Sequence, residues 1–207
     1  MEDTSLDKPN NGENISLPEP EINWYLSLEE TLQQRRSIRE YTQDKLSKED
    51  IAQLLWAAQW LNNTEKRTAP SAGATYPMEI FIAIDKAEKL DPGIYHYNNY
   101  ENTLEQISKW QVGDKLSMSA LGQDPIKDAA ANIIITADFE RTTSVYWSRW
   151  NRYVYMEAGH ISQNIYLQAE SLDIGTVAIG AFDDEDIQNI LWVDEYQPVY
   201  IMPIGYK

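Results

Sequence analysis

Three of the chain's seven arginines, Arg35, Arg36 and Arg39, fall within five residues of the stretch QQRRSIREY. The whole chain carries a formal net charge of −16. Guanidinium is the side-chain group best suited to bidentate recognition of phosphate. With the Ser37 hydroxyl and nearby backbone N–H groups, the cluster could form a compact anion site. The competing reading is salt bridging to surrounding carboxylates, and this stretch alone leaves both open.

Three further stretches could carry chemistry. APSAGATYP, residues 69–77, sets small residues between two prolines, which would let backbone approach a flat ligand, with Ser71 offering a hydroxyl. It is neither a Walker loop nor a GxGxxG turn, and an ordinary surface loop would look the same. GTVAIGAF, residues 175–182, ends in Gly180 and Ala181, whose bare backbone could meet a ring nitrogen or simply join a strand to a helix. VYWSRWNRYVY, residues 145–155, mixes Tyr146, Trp147, Trp150, Tyr153 and Tyr155 with Arg149 and Arg152. Aromatics interleaved with arginines suit a flat, conjugated or anionic small molecule, or equally a subunit interface.

The remaining inventory excludes much. There is no cysteine, so there are no disulfides, no thiol chemistry and no cysteine-held metal. Only His96 and His160 are present, which disfavours a multi-histidine metal site. His160 is expected to be a packed, hydrogen-bonded residue, and His96 shows no acid partner in the sequence. No serine lies in a G-x-S-x-G elbow. The acidic balance argues against nucleic acid and against an anionic membrane surface. The N-terminus lacks the pattern of a secretory leader and no apolar run is long enough to span a bilayer, so a cytoplasmic location is expected.

Hydrophobic residues make up 43% of 207 residues, enough for one folded domain. Residues 1–22 are polar with three prolines and read as a flexible or extended arm, and residues 23–207 as the domain. Ser27 and Glu30 can cap a first helix, LSLEETLQQRR, and Ser47 and Asp50 a second over residues 47–61. MEIFIAID and NIIITAD read as buried strands, and GIYHY and TLEQIS as a hairpin. Asp124 and Pro125 open a short helix. Residues 149–172 read as a central buried helix, GTVAIG as a strand, DEDIQNIL as a helix capped by Asp183 with Asp186 at its third position, and PVYIMPIG as the last strand. Interleaved helices and strands without clean alternation point to one sheet covered on both faces. The surplus of apolar helical surface suggests a dimer.

Taken in order, RRSIREY, APSAGATYP, ALGQD, YWSRWNRYVYMEAGHISQN and LDIGTVAIGAFDD resemble the nitroreductase family of FMN-dependent oxidoreductases. Within it they are most similar to the SagB-type dehydrogenase branch. Each motif is weak alone; five in order, from about Ser27 to Tyr206, are specific. The resemblance implies an α+β fold, a central mixed sheet flanked by helices, in an intertwined homodimer with FMN at the interface. It implies that Arg35, Arg36, Ser37 and Arg39 hold the phosphate and ribityl region. Pro70, Ser71, Ala72 and Gly73 of the other subunit would lie along the ring, Gln123 would face its pyrimidine side, and Gly180 and Ala181 would reach N5. Tyr146, Arg149, Arg152 and Tyr153 match the branch's Y-x-x-R-x-x-R-Y pattern near the substrate, with Tyr153, then Tyr146, as proton donor. The sequence given ends at Lys207, where many members continue into a basic tail, so Lys207 or the arginine cluster is expected to serve the phosphate. Ala74 stands where some members carry an amide, which implies contact by backbone. The implied activity is hydride transfer through flavin N5 by a ping-pong cycle. The donor would be NADH, NADPH or an azoline-type substrate, and the acceptor a nitro compound or quinone. The alternatives are an FMN-storing or FMN-sensing dimer without turnover and an interaction module without flavin.

Overall fold

The computed structural model describes residues 12–61, 66–146 and 150–207. Among them, strands β1 (Asn14–Ser16), β2 (Met78–Ile84), β3 (Gly93–Asn98), β4 (Thr103–Ser108), β5 (Ala131–Ala137), β6 (Ile174–Thr176) and β7 (Gln197–Tyr206) form one sheet. Their order is β1-β4-β3-β2-β5-β7-β6. The helices are α1 (Leu28–Gln34), α2 (Lys48–Gln59), α3 (Gly113–Ser119), α4 (Asp124–Asp128), α5 (Glu140–Tyr146), α6 (Trp150–Ser171) and α7 (Asp184–Leu191), with a 3-10 turn at Ala72–Ala74.

The α+β class expected from sequence holds. The sheet differs in one respect: every pairing between these strands is antiparallel, so it is not mixed. The connection from β5 to β6 runs through α5 and α6 to the opposite end of the sheet, so these two strands point the same way on either side of β7 and both pair with it antiparallel.

Side chains alternate across a strand, so β2 and β5 feed two cores. Ile80, Ile82, Ile133 and Ile135 pack with Leu54, Leu55, Ala158, Ile161 and Ile165 of α2 and α6. Phe81, Ala83, Ile134 and Ile201 pack with Leu116, Ile126, Ile187 and Leu191 of α3, α4 and α7. Each fully buried aliphatic side chain contributes about 1.5–3 kcal/mol. This two-sided burial is why β2 and β5 read as continuous apolar runs rather than alternating ones.

Local signals set the helix starts. Ser27 and Glu30 form the reciprocal capping box of α1. Ser47 accepts from the Asp50 N–H at α2, and Asp183 from the Asp186 N–H at α7. Beyond the N-terminal segment's first eleven residues, which lie outside the described residues, Asn14–Ser16 pair with β4 at the sheet edge and Leu17 is buried.

Two expectations need correction. The helix over residues 149–172 is buried on one side only. Val154, Glu157, Ala158, Ile161 and Ile165 face inward, while Tyr155 and Met156 are 56% and 53% exposed. GTVAIG is not one strand. Pairing stops at Thr176 and returns as a single bridge from Ile179 to Ile201, because the Ala178 N–H leaves the sheet to donate to the Tyr166 hydroxyl.

Candidate functional site

The chain leaves α1 at Arg35 and runs beside β6 and the end of β7. The Ile38 N–H donates to the Thr176 carbonyl and the Thr42 N–H to the Tyr206 carbonyl, both at 2.9 Å. Gly175 and Gly205 face each other across β6 and β7 and form the floor under this segment. A Cβ on Gly175 would come within 2.6 Å of the Ile38 side chain, and one on Gly205 within 2.8 Å of Tyr41. Burial, with the nearby Tyr166, pushes the Tyr41 phenol well above its ordinary pKa, and its hydroxyl donates to the Ile38 carbonyl.

The arginines take separate roles. The Arg35 guanidinium lies over the Tyr166 ring, 5.0 Å from its centroid. Arg36 turns back, and its Nη1 donates to the carbonyls of Gln33, Gln34 and Arg35. α1 has no basic residue in its last turn, so Arg36 supplies the cation that the negative helix end favours. Arg39 is exposed. Among the described residues none of the three pairs with a carboxylate. The salt-bridge reading of RRSIREY is therefore not what the structure displays. Lys207, by contrast, is paired with Glu170 at 2.9 Å.

Tyr166 joins this segment to the end of β6. Its hydroxyl accepts from the Ala178 N–H at 2.8 Å and lies 3.1 Å from Ser37 Oγ. Two residues further on, the N–H groups of Gly180 and Ala181 have no acceptor among the described residues. Gln123 closes the line: its Nε2 donates to the carbonyls of Ala181 and Ala120, each at 3.0 Å. It reaches them because Leu121 and Gly122, at φ 60° and 73°, end α3 in a left-handed turn and start α4 at once. Arg35 and Ser37 are thus joined through Tyr166 to Ala178, and Gln123 to Ala181 three residues further along the same segment.

A second group forms elsewhere. The turn after Pro70 holds Gly73 at φ 59°, Ala74 at 53° and Tyr76 at 45°, all left-handed. A Cβ on Gly73 would meet the Tyr146 hydroxyl at 2.7 Å, so a larger residue there would strain the left-handed backbone and displace the Tyr146 side chain. The Tyr146 and Tyr153 rings pack edge to face at 4.8 Å. Ser71 Oγ accepts from the Tyr76 N–H at 2.9 Å. His160 is exposed rather than packed, with Nδ1 3.3 Å from the Pro70 carbonyl. Arg152 is exposed on α6, and Arg149 lies outside the described residues.

The two groups are both anchored to α6, but on different sides. Tyr153 and Tyr166 are thirteen residues apart, which is about 20 Å along a helix axis and about 220° around it. The two groups of residues are therefore separated along and around α6.

Three residues carry structure that the sequence reading missed. Tyr166 links Ser37, Arg35 and Ala178, and nothing in its sequence context marks it. Glu157 is 2% exposed, and a carboxylate within the Val154–Ile161 apolar stripe is a legible signal in retrospect. His96 does have an acid partner: Nε2 lies 3.0 Å from Glu79 Oε2, and Arg141 grips the other oxygen at 2.6 Å. The register sets Phe81 opposite His96, which brings Glu79, two residues along the same face, into diagonal reach.

The family described as "Nitroreductase family" matches residues 32–206. A protein of Methanocaldococcus jannaschii named "Putative nitroreductase MJ1384" is 41% identical over 197 residues, spanning 95% of this chain and 98% of that one. The Escherichia coli "Microcin B17-processing protein McbC" is 25% identical over 136 residues, spanning 63% of this chain and 50% of its own. A solved nitroreductase-type structure from Anabaena variabilis superposes with a TM-score of 0.83 at 29% identity, over 100% of this chain and 44% of that one. The chain thus spans about half of two of these proteins and nearly all of the third.

Proposed function

This chain belongs to the nitroreductase family, and we propose that it is an FMN-dependent oxidoreductase of the SagB-type dehydrogenase branch whose cofactor site is completed by a second copy of the chain. The observation that carries this reading is the pair of half-sites on opposite sides of α6. Each has what the other lacks: one the cations and free N–H groups, the other a bare backbone turn beside two tyrosines.

The residues fit FMN. Arg35 and Arg39, unpaired with carboxylates in a chain of net charge −16, would hold the phosphate, with Ser37 on the ribityl side. Arg36 would act at one remove, by neutralising the end of α1 that points toward the anion. The free N–H groups of Gly180 and Ala181 would face the ring nitrogen N5, and Gln123 the pyrimidine edge. Pro70, Ser71, Ala72 and Gly73 of the second copy would lie along the ring, with Gly73 leaving the room beside Tyr146 that a larger residue would take. When bound, the flavin supplies hydride chemistry at N5.

The chain's own groups then do the rest. Tyr153, packed on Tyr146, is the candidate proton donor, and a phenol with an unperturbed pKa of about 10 acts more readily as acid than as base. Arg152 and Arg149 would orient an anionic donor such as NADH or NADPH, or an azoline-type substrate. A nitro compound or quinone would be the acceptor in a ping-pong cycle. The resemblance to a microcin-processing protein keeps a modified peptide among the substrates to test.

The test is direct. Purified protein should be yellow, with FMN released on denaturation, and should bleach anaerobically with NADH or NADPH and recolour on addition of quinone. Colourless protein that cannot be reconstituted with FMN would reject the reading. Bound FMN that no nicotinamide reduces would leave a binding protein rather than an enzyme.

A further inference from the structure

The outer edge of the β6 segment is covered at its start and open at its end. Ile179 exchanges both backbone bonds with Ile201, at 2.9 Å each, so its N–H and C=O face β7. The residues on either side of it in an extended chain direct their backbone groups the other way. The Ala178 and Gly180 N–H groups therefore turn from β7 toward the Arg35–Tyr41 segment. The Thr176 carbonyl accepts from Ile38, and the Ala178 N–H donates to the Tyr166 hydroxyl. The Gly180 N–H has no acceptor among the described residues.

The Tyr166 hydroxyl sits between this edge and Ser37, and its surroundings fix the direction of its bonds. Tyr166 is 9% exposed, and a phenol carries one proton. The oxygen accepts from Ala178 at 2.8 Å and lies 3.1 Å from Ser37 Oγ. Among the described residues no other group bonds this hydroxyl. Were Ser37 the donor, the buried phenol proton would have no acceptor; with Tyr166 as donor, both of its bonds are made. Tyr41, the other tyrosine of the segment, spends its own proton on the Ile38 carbonyl at 3.0 Å and does not serve Ser37.

That leaves the Ser37 proton unspent, on an exposed residue. The Ser37 backbone N–H also has no acceptor among the described residues. Beside it the Arg35 guanidinium lies 5.0 Å from the centroid of the Tyr166 ring. Two free donors and a cation are thus gathered around one tyrosine, with no carboxylate paired to them among the described residues.

We propose that Tyr166 is the positioning residue of the anion end: anchored by Ala178, its hydroxyl donates to Ser37 and turns the Ser37 proton outward to a phosphate monoester, beside the Arg35 cation stacked on its ring. The chain from the Ala178 N–H through Tyr166 to Ser37 then runs in one direction and ends on the ligand. Each donor in such a chain polarises the next, and an anion at its end polarises them all. The preference for an anion stands on this hydrogen-bond geometry. That the anion is the phosphate of FMN rests on the reading above.

Two measurements test this. In the first, isotope-labelled apo-protein is titrated with inorganic phosphate against chloride at constant ionic strength. In wild type the Ala178 amide proton should move downfield together with the Ser37 amide, and Ser37→Ala should abolish the Ala178 movement. In the second, wild type, Tyr166→Phe, Ser37→Ala and the double variant are titrated with FMN and with riboflavin. Phenylalanine keeps the ring under Arg35 and removes only the hydroxyl. Tyr166→Phe should weaken FMN by about tenfold and riboflavin by less than about twofold. The double variant should bind FMN no more weakly than Ser37→Ala, because both lesions break one chain.

A merely structural role would weaken the two ligands alike. Equal losses for FMN and riboflavin, or additive losses in the double variant, would overturn the proposal and leave the flavin reading intact. An Ala178 amide that stays in place as phosphate is added to wild type would overturn it as well, and that result needs no variant to fold. Failure of wild type to bind FMN, with the Ala178 response to phosphate as expected, would reject the flavin reading and leave the role of Tyr166 standing.

Discussion

The Gln123 side-chain amide donates to the Ala181 carbonyl at 3.0 Å, across 58 residues of sequence. This bond ties the α3–α4 turn to the end of the β6 segment and fixes where the Gly180 and Ala181 N–H groups point. Gln123→Leu removes this bond and the one to Ala120, each worth about 0.5–1.5 kcal/mol. Stability should fall by about 1–2 kcal/mol in urea unfolding. FMN affinity should fall by about tenfold, read by fluorescence quenching.

The arginine cluster predicts a selectivity. Arg35→Ala with Arg39→Ala should abolish the preference for FMN over riboflavin, measured by parallel titration, while the thermal transition stays in place. Arg36→Ala acts through the α1 terminus and should cost about 0.3–1 kcal/mol of stability with a smaller loss of FMN selectivity.

The glycine floor predicts a steric effect. Gly205→Ala places a methyl group within 2.8 Å of the Tyr41 side chain. Overpacking of this kind costs about 1–3 kcal/mol. The Ile38–Thr42 segment must shift, so calorimetry should show a lower Tm and flavin titration a weaker cofactor.

Much of the frame was legible because it is written locally. Ser27 with Glu30, Ser47 with Asp50 and Asp183 with Asp186 each start a helix within four residues of chain. The continuous apolar runs of β2 and β5 announced two covered faces. What stayed hidden depends on register and helix phase. His96 gains Glu79 only because β2 and β3 pair with Phe81 opposite His96. Tyr166 joins Ser37 and Arg35 to Ala178, yet one tyrosine on a long helix carries no local mark. The one-sided burial of α6 was missed because small residues on several faces read as burial all round. Here they include an open face with Gly159, Tyr155 and Met156.

The Glu79 cluster predicts an acid limb. Burial pushes the Glu79 carboxyl up, but the His96 hydrogen bond and the Arg141 guanidinium together hold it below its ordinary 4.5. Its contribution is therefore complete above about pH 4.5 and is lost as pH falls through the lower folded-state value. Arg141→Ala should cost about 1.5–3 kcal/mol at pH 7. It should also flatten the loss of stability below pH 4.5, read by denaturant unfolding at a series of pH values.

The central claim is that each flavin site is built from two copies of the chain, and co-expression of two defective variants tests it. Arg35→Ala with Arg39→Ala damages one half-site and Gly73→Val the other, so each variant alone should hold little FMN. In a mixed dimer one shared site receives both lesions and the other receives neither. The account predicts that mixed dimers, isolated with two different affinity tags, carry FMN at about half the wild-type stoichiometry. Mixed dimers as empty as either parent would contradict it.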